Sequence, residues 1–596
     1  MKPIDLLRSR MRDQGLDALI VPRADEYLGE YLPPENERLR WLTGFTGSAG
    51  VAIVLAERAA IFVDGRYTVQ VAQQVDASCF EILHSVKTPH VPWLAQALPA
   101  LEKKDVRVGF DARCHDLAWS RAAEAQLDAQ GIELVETDGN LVDACWTDRP
   151  RPVIHEALLL EACFTGSSST EKRGRIAASI AEADADAALI FAPDSVAWLL
   201  DIRGRDIPSL PLVLGFAVIH ADGDVDFFTN PEKIPAGFDA HVGSGVRVHA
   251  EDAAPQVFSS LAGRTVLLDA TSANAWCQRA LERAGARVLE GEDPVVMPKA
   301  CKNAVEVQGM REAHVRDGAA EVEFLAWLDE EVASGRLHSE AALSEKLFAC
   351  RAKQDRFQET SFSTISAAGE NAALPHYNHE NASEETCLRM DSVYLVDSGG
   401  QYLDGTTDIT RTVAIGDPGP EVRERFTRVL KGHIALDSVR FPDGTTGIQL
   451  DVLARQFLWQ AGLDYDHGTG HGVGAFLSVH EGPQRIGNAG NQVPLKPGMV
   501  VSNEPGYYRA GAYGMRCENL VVVRECDADS PDGRTMYEFE PLTMAPFDLR
   551  LVDATLLTPA ETAWLDDYHA RVREQLSPLV SGATLAWLEQ ATRPVG

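Results

Sequence analysis

Apolar residues recur at helical spacing at the start of the chain. Ile4, Leu7 and Met11 lie three and four positions apart, and Gly15 follows them. Because this spacing places the three side chains on one face, it predicts an amphipathic helix that ends at Gly15. The apolar residues 16–21 then predict a short β-strand.

A similar order of elements returns later in the chain. "LDALIVPRAD" is followed by "RLRWLTGFTGSAG", and "DAALIFAPDSVAWLLDIRG" repeats the short apolar strand, the proline and the tryptophan-containing segment that ends in glycine. Both regions continue into β-rich sequence. We therefore predict two copies of one α/β domain, over residues 1–148 and 149–303. A chance likeness between two ordinary α/β segments is the alternative.

From about residue 304 the pattern changes. A long amphipathic stretch that ends at Gly335 predicts a helix. The stretch "SVYLVDSGGQYLDGTTDITRTVAIG" predicts a β-hairpin, and another helix is expected over residues 421–439. Residues 304–596 are thus predicted to form one α+β domain with mainly antiparallel strands. Its helical tail is expected from about residue 547, with "TP" at the start of a C-terminal helix.

Charge and composition narrow the class of protein. The 596 residues include 88 acidic and 55 basic side chains, a formal net charge of −33. Because nucleic acids and anionic membranes bind basic patches, this balance argues against both as partners. The chain has no apolar run of about 18 residues and no uninterrupted apolar segment at its start, so neither a membrane span nor a signal peptide is expected. Ten cysteines without a Cys-x-x-Cys pair favour reduced thiols and a cytoplasmic location.

Three histidines stand close together in the stretch "HGTGHGVGAFLSVHEGP". His467, His471 and His480 are spaced by four and nine residues and lie among glycines. So many glycines make a helix unlikely to form here, because glycine is an unfavourable residue in helix interiors. Glycine in a strand or turn instead allows a ligand or another backbone to approach closely.

Four carboxylates of the same predicted domain stand where burial is expected. Asp397 ends the apolar strand "VYLVD", Asp408 is expected in the facing strand, Glu504 follows "MVVSN" and Glu518 precedes "NLVVV". A buried carboxylate is unfavourable unless it is paired or binds a metal ion. Taken singly, each of these residues could equally be a turn cap or a loop residue.

Four carboxylates and one histidine form a suitable ligand set for two divalent cations held about 3.5–4 Å apart. The four negative charges would balance the four positive charges. Because oxygen ligands dominate and a single imidazole is present, the set favours Mn²⁺ over Co²⁺ or Zn²⁺.

The ordered motifs "VDSGGQYLDGTTDITRT", "HGTGHGVGAFLSVHEGP", "SNEPGYY" and "MRCENL" resemble the signature of the pita-bread metallopeptidase superfamily. Within it they are most similar to the Xaa-Pro aminopeptidase family. The likeness extends to "WLTGFTGSAG" near the start and to "FEPLTMAPFDLRLVD" near the end, so it covers nearly the whole chain. It matches the long, three-domain, cytosolic type, which implies two creatinase-like α/β domains followed by a pita-bread catalytic domain.

The resemblance implies the identity of the metal ligands. Asp397, Asp408, His471, Glu504 and Glu518 correspond to the family's ligands, with Asp408 and Glu518 bridging both metals. It further implies that a hydroxide bridging the two cations attacks the carbonyl carbon, because two cations lower the pKa of a shared water molecule. Glu504 is the candidate that accepts and relays the proton of this water.

Further roles follow from the same resemblance. His480 resembles a histidine that hydrogen-bonds the substrate, and His376 one that stabilises the oxyanion or transfers protons. His467 resembles a wall of the proline pocket, and Arg516 a residue that orients the metal ligands. Arg66 resembles a residue that reaches the substrate from another domain or subunit. Ordinary surface or core histidines are the alternative for the three imidazoles.

The function implied is that of a dinuclear metal-dependent aminopeptidase, which removes one N-terminal residue from peptides with proline in second position. General peptidases fit the Xaa-Pro bond poorly, because its nitrogen carries no hydrogen and proline restricts φ. A prolidase, which would use the same five ligands but cleave only dipeptides, is the first alternative. A non-catalytic binding protein of the same fold is the second. The resemblance also implies a homodimer.

Overall fold

The computed structural model of the chain describes residues 2–98, 105–382, 384–488, 492–526 and 531–595. The helices are α1 (Pro3–Asp13), α2 (Arg38–Thr43), α3 (Thr68–Gln74), α4 (His90–Ala97), α5 (Leu117–Asp128), α6 (Ala162–Thr165), α7 (Ser169–Glu182), α8 (Pro193–Leu200), α9 (Phe238–Val242), α10 (Ala254–Ser259), α11 (Ala275–Arg283), α12 (Val296–Ala300), α13 (Ala304–Ala333), α14 (Glu340–Arg351), α15 (Pro420–Asp437), α16 (Gly447–Trp459), α17 (Pro559–Leu576) and α18 (Gly582–Ala591).

The strands run through the whole chain. They are β1 (Ala18–Pro22), β2 (Val51–Leu55), β3 (Ala59–Val63), β4 (Glu81–His84), β5 (Val106–Phe110), β6 (Ile132–Glu136), β7 (Leu158–Leu159), β8 (Ala187–Ile190), β9 (Ile202–Arg203), β10 (Phe216–His220), β11 (Val225–Phe228), β12 (Val246–His249), β13 (Thr265–Leu268), β14 (Arg287–Glu290), β15 (Phe357–Thr360), β16 (Ile365–Ala368), β17 (Ser392–Ser398), β18 (Gly400–Tyr402), β19 (Gly405–Thr406), β20 (Ile409–Ile415), β21 (Arg440–Pro442), β22 (Gly470–Gly472), β23 (Glu481–Ile486), β24 (Val500–Asn503), β25 (Gly506–Arg509), β26 (Tyr513–Arg516), β27 (Asn519–Glu525) and β28 (Met536–Pro541).

The chain divides into two compact units. The first consists of Met1–Leu159, Ser167–Pro208 and Leu212–Val295, and the second of Leu160–Gly166, Ser209–Pro211 and Val296–Gly596. The predicted domain limits at residues 148 and 303 remain predictions.

The first unit contains two six-stranded mixed sheets with the same topology. Their strand orders are β4-β3-β2-β1-β5-β6 and β12-β11-β10-β8-β13-β14. In each sheet three neighbouring strands pair antiparallel, β1-β2-β3 and β8-β10-β11, and the remaining pairs are parallel. Strands β1 and β8 occupy equivalent positions. The two sheets confirm the predicted α/β fold, because two stretches of similar polarity pattern form the same arrangement.

The helices of the first unit cover these sheets through their apolar faces. Ile4, Leu7 and Met11 of α1 are all buried, as predicted, in one core with strands β1 to β3. The equivalent helices α5 and α11 start in the same way: Asp116 and Asn274 each accept a backbone N–H at the helix N-terminus. These two capping residues also form a β-bridge with each other.

The second unit is α+β, and its sheets are built from antiparallel pairs. A three-stranded sheet has the order β16-β17-β20, and a six-stranded sheet has the order β21-β28-β27-β24-β22-β23. Helix α13 begins with a capping box at Asn303 and ends before Gly335, which has a φ of +79°. Helix α17 begins with a capping box at Thr558, followed by Pro559. Both helices agree with the predictions.

The predicted hairpin differs from the structure in one respect. Strands β17 and β20 do pair along seven residues, but the short strands β18 and β19 lie between them and belong to another sheet. Asp408 therefore lies in the turn just before β20 and not in the facing strand, as the sequence suggested. The glycines between β17 and β20 allow the additional bends of the chain there, which a simple strand pattern does not predict.

Among the helices in the described ranges, none combines the length and the apolar character that a bilayer crossing requires.

Candidate metal centre

Strand ends of two sheets bring the predicted carboxylates together. Asp397, near the end of β17, is paired with Thr410 of β20, and Asp408 immediately precedes β20. From the other sheet, the backbone N–H of Glu518 donates to the carbonyl of Thr410 (3.3 Å), and the Thr410 hydroxyl donates to Glu518 Oε2 (2.6 Å). Three of the four carboxylates thus meet where β20 touches the start of β27.

The fourth carboxylate and the histidine arrive on neighbouring strands. Glu504 directly follows β24, whose last residue pairs with the first residue of β27. His471, in the middle of β22, has Nε2 3.5 Å from Asp408 Oδ2 and 3.8 Å from Glu504 Oε1. Asp408, His471 and Glu518 each offer a ligand atom within 4.8 Å of the other two. The structure therefore brings all five predicted ligands into one cluster.

The glycines of the histidine-rich stretch permit this close packing. A Cβ atom on Gly470 would lie 2.0 Å from the carbonyl oxygen of Ser502 on β24. A Cβ atom on Gly472 would lie 2.3 Å from the carbonyl oxygen of Glu481 on β23. Because both distances are far shorter than van der Waals contact, β22 can lie between its neighbours only with glycine on either side of His471.

The tautomer of His471 suits a metal ligand. Its Nδ1 lies 2.9 Å from the carbonyl oxygen of Gly472, so Nδ1 carries the hydrogen and Nε2 faces the carboxylates with its lone pair. Burial opposes a charge on this ring, yet contact with Asp408 and the charge of Glu504 raise the pKa of His471 to about 9. Without cations the carboxylates therefore draw a proton to the atom that faces them.

The residues present fit a pair of cations. Asp397 Oδ1 and Asp408 Oδ1 are buried and accept no hydrogen bond from any residue in the described ranges. Burial and the other site carboxylates raise the pKa of Glu518 well above its usual range, and burial raises the pKa of Glu504. Burial likewise raises the pKa of Asp397 to about 7, although the Arg516 guanidinium opposes the shift. So many buried carboxylates need an added positive charge, which metal ions supply.

Arg516 contacts two of the predicted ligands. Its Nη2 donates to Asp397 Oδ2, its Nε donates to the hydroxyl of Thr410 (2.9 Å), and the same hydroxyl donates to Glu518. The third nitrogen, Nη1, donates to the hydroxyl of Tyr508 (2.6 Å). This buried arginine thus links two ligands through short, directional hydrogen bonds.

His467 lies beside the carboxylates but faces a different partner. Its Nδ1–H donates to the carbonyl of Gly468 (2.6 Å), and Nε2 accepts a hydrogen bond from Tyr508 (2.8 Å). Burial and the nearby Arg516 hold the pKa of His467 well below its usual range, so the ring is neutral. Glu504 Oε2 lies 3.8 Å from its Nδ1. His467 therefore forms a neutral, mostly apolar wall next to Glu504.

The other two histidines border the cluster. The imidazole of His480 lies edge-on to that of His471, with ring centroids 4.3 Å apart. His376 is half-buried in the loop between two 3₁₀ turns, and its charge contributes to the lowered pKa of His467. The structure therefore places His467, His471 and His480, the three histidines of one glycine-rich stretch, around the same carboxylates.

Arg66 belongs to the first unit. It lies in a 3₁₀ turn after β3, where Nη2 donates to Asp64 Oδ2 (2.7 Å) and the guanidinium lies over the ring of Tyr67. Its predicted contact with substrate remains a prediction.

Sequence reasoning missed residues that organise the site. Thr410, Tyr508 and Ser502 supply hydroxyls; the Ser502 hydroxyl accepts the N–H of His471 (2.9 Å) and lies 3.4 Å from Glu504 Oε1. Each lies within four residues of a ligand, and Thr410 and Ser502 lie two residues away. A search for hydroxyl residues next to the ligands on alternating strand positions would have found Thr410 and Ser502.

The family comparisons agree with this geometry. Residues 308–525 match metallopeptidase family M24, and residues 535–595 match the C-terminal region of that peptidase family. Residues 3–145 and 148–306 each match the creatinase/prolidase N-terminal domain.

Relatives align with the chain over its full length. A probable Xaa-Pro aminopeptidase P of Coprinopsis cinerea is 38% identical over 618 residues, which cover 100% of this chain and 98% of the relative. Aminopeptidase P2 of Arabidopsis thaliana is 38% identical, covering 98% of this chain and 86% of the relative. The crystal structure of X-prolyl aminopeptidase from Caenorhabditis elegans, described as a cytosolic enzyme with a di-nuclear active site, superposes with a TM-score of 0.94. It is 35% identical, and the match covers 99% of each chain.

The fold and the cluster of carboxylates define a metallopeptidase. The chain belongs to metallopeptidase family M24, with two creatinase-type N-terminal domains ahead of the catalytic domain. Its relatives over the whole length are named as aminopeptidases P, which agrees with the family predicted from the sequence motifs.

Proposed function

We propose that the protein is an Xaa-Pro aminopeptidase that hydrolyses the bond between an N-terminal residue and a following proline. The observation that carries the proposal is the cluster of four carboxylates around Nε2 of His471, with buried oxygens that accept no hydrogen bond within the described residues. Full-length similarity to aminopeptidases P and to an enzyme with a di-nuclear active site supports the same function.

Asp397, Asp408, His471, Glu504 and Glu518 would hold two divalent cations. When bound, these cations supply Lewis acidity, which acidifies water and polarises the substrate carbonyl group. Mn²⁺ is the proposed metal, because four of the five ligands are carboxylates and hard oxygen ligands suit it better than Zn²⁺; Co²⁺ comes next. Arg516 keeps Asp397 in its ligating position through the guanidinium hydrogen bond.

Glu504 is the proposed proton acceptor. It is the most exposed of the site carboxylates, with 18% of its side chain accessible, while its pKa is raised by burial. An accessible carboxylate with a raised pKa can take a proton from water at one oxygen and pass it to the leaving prolyl nitrogen. Proton transfer to that nitrogen is necessary because an unprotonated amine anion is a very poor leaving group when the C–N bond breaks.

The histidines would orient the substrate. His480, edge-on to the ligand His471, is placed to hydrogen-bond the peptide near the bond that is cleaved. His376 is the proposed donor to the developing oxyanion. His467 offers a neutral ring, fixed by Tyr508, as a wall for the apolar proline side chain. Arg66 is proposed to contact the substrate from another domain or subunit.

The proposal includes a homodimer in the cytoplasm. Val452 and Trp459 lie seven residues apart on one face of α16 with 43% and 48% of their surface exposed, which offers an apolar contact for a second copy. All ten cysteines are free thiols, as expected in a reducing compartment. Sedimentation velocity of the purified protein tests the dimer.

Metal analysis combined with peptide assays tests the function. We expect two divalent metals per chain, complete loss of activity after chelation, and recovery with Mn²⁺. A tripeptide Xaa-Pro-Yaa should be cleaved and the dipeptide Xaa-Pro left intact. Cleavage of the dipeptide alone would show a prolidase, and metal binding without cleavage of either peptide would show a binding protein. Tripeptide cleavage that survives full demetallation would refute the proposal.

A further inference from the structure

The loop between β22 and β23 has a strained backbone. This loop, residues 473–480, ends at His480 and is closed by a hydrogen bond from the N–H of Gly474 to the carbonyl of Ser478 (3.0 Å). Phe476 within it has a φ of +50° and a buried side chain. Because bulky residues rarely adopt the left-handed region, such a turn persists only where the surrounding structure holds it.

One set of contacts holds the tip of the loop. Gln401 Nε2 donates to the carbonyl of Leu477 (3.0 Å), and the hydroxyl of Thr406 lies 3.3 Å from both the N–H and the carbonyl oxygen of Leu477. Both residues precede Asp408 on β18 and β19. The tip is therefore fixed to the strands that lead into the metal ligands.

A buried charge cluster holds the base of the loop. Glu481, the first residue of β23 and the neighbour of His480, has a fully buried side chain. Lys302 Nζ donates to its Oε1, and Lys299 Nζ lies 3.6 Å from its Oε2. The two lysine side chains are only 1% and 3% exposed. Because a buried ammonium group is unfavourable without a partner, Glu481 provides the negative charge that both buried lysines face.

Backbone hydrogen bonds also hold the segments that carry Lys302 and Glu481. The N–H of Lys302 donates to the carbonyl of Gly498 (3.1 Å), and Glu481 pairs with Gly472 in the β22–β23 ladder. Gly472 directly follows the ligand His471. The position of Glu481 therefore determines how β22 and the end of the loop lie relative to each other.

We propose that Lys302 and Lys299 are positioning residues that, through Glu481, hold His480 against His471. The proposal rests on the proposed function, in which His480 contacts the substrate. Glu481 is shared by the two lysines. Removal of either lysine leaves the other one paired with Glu481, so the variant should fold. Glu481→Gln is unsuitable as a test, because it would leave two buried ammonium groups without a partner.

The main test is Lys302→Met, with Lys299→Met as the second variant. For the tripeptide substrate we expect kcat to fall about tenfold with KM and metal content unchanged, because a small displacement of an orienting group lowers the rate strongly. Lys302→Arg should restore most of the rate. Lys431→Met, which removes the ion pair with Glu561 between α15 and α17, is the matched control and should keep the wild-type kcat.

A double-mutant cycle separates positioning from general stability. If Lys302 acts through His480, the Lys302→Met change should have no further effect on kcat in a His480→Ala background. An equal fall of kcat in both backgrounds would overturn the proposal.

A structural readout tests the proposal without relying on activity. In protein loaded with diamagnetic Zn²⁺, the Cε1–H resonance of His480, assigned by its loss in His480→Ala, should shift in Lys302→Met and Lys299→Met but not in Lys431→Met. An unchanged resonance in both lysine variants would refute the positioning role. A shifted resonance in a protein that does not cleave the tripeptide would support the positioning role and refute the proposed function alone.

Discussion

Two clusters of charge, one in each unit, differ in their balance and in their burial. In the first unit Arg38 donates to Asp143 (2.8 and 2.9 Å) and to Glu26 (2.6 Å), and Arg149 donates to Asp143 (2.7 Å). Two arginines thus match two carboxylates. In the second unit Arg516 contacts two of the four carboxylates, Asp397 and Glu518, and the buried Oδ1 atoms of Asp397 and Asp408 accept no hydrogen bond within the described residues.

The difference shows how a structural ion cluster can be distinguished from a ligand site. A charge-matched cluster satisfies its own groups and needs nothing from outside. An excess of buried carboxylates raises the pKa of its members and is stable only with protons or cations. The excess is therefore the feature that makes the second cluster the candidate ligand site, and changes in either cluster test the comparison.

The largest effect is expected for Glu504→Gln. This change keeps the shape of the side chain but removes its ability to hold a proton, so kcat/KM for the tripeptide should fall about 10³-fold. Steady-state kinetics measure the fall, and metal analysis must show two metals still bound. Glu26→Gln in the first unit is the matched control and should retain full activity. Normal activity of the Glu504 variant with both metals bound would reject its role in proton transfer.

Next in size is the effect of Arg38→Met on stability. The change leaves Glu26 and Asp143 without their main partner, and we expect the free energy of unfolding to fall by about 3 kcal/mol, since both carboxylates are partly exposed. Urea unfolding measures this fall in the free energy of unfolding. Tryptophan fluorescence is a suitable signal, because Trp41 and Trp146 stack in the same unit.

The control for this change is Arg58→Met. The Arg58–Glu81 pair is exposed, so its loss should lower stability by less than about 1 kcal/mol. In both variants kcat and metal content should equal those of the wild type. Loss of metal from Arg38→Met would contradict the view that the first cluster is purely structural.

The smallest effect is expected for Thr410→Val. The change keeps the volume but removes the hydroxyl that joins Arg516 to Glu518, so metal affinity should fall about 10- to 100-fold. Competition with a fluorescent chelator measures the affinity. Thr412→Val is the control, because its hydroxyl contacts only the backbone of Arg516. Equal losses in both variants would mean that the hydroxyl of Thr410 has no specific role.

Local pattern predicted much of this molecule. The apolar face of α1, the capped starts of α13 and α17, and the repeated α/β arrangement depend on residues close in sequence, so spacing and capping residues predict them. The ordered motifs indicate the candidate ligand residues. Their convergence follows from strand register, which pairs Asp397 with Thr410 and aligns β24 with β27.

Contacts between segments that are distant in the sequence are visible only in the tertiary structure. The pairing of β18 with β15, the hydrogen bond between Tyr508 and His467, and the pairing of Glu481 with two lysines all join residues far apart in the chain. No periodicity or local motif encodes such contacts, because they depend on which strand ends meet and on which buried charges must share a partner. The sequence therefore determined the elements and the candidate ligands, while packing determined which charges are matched and which are left for a cation.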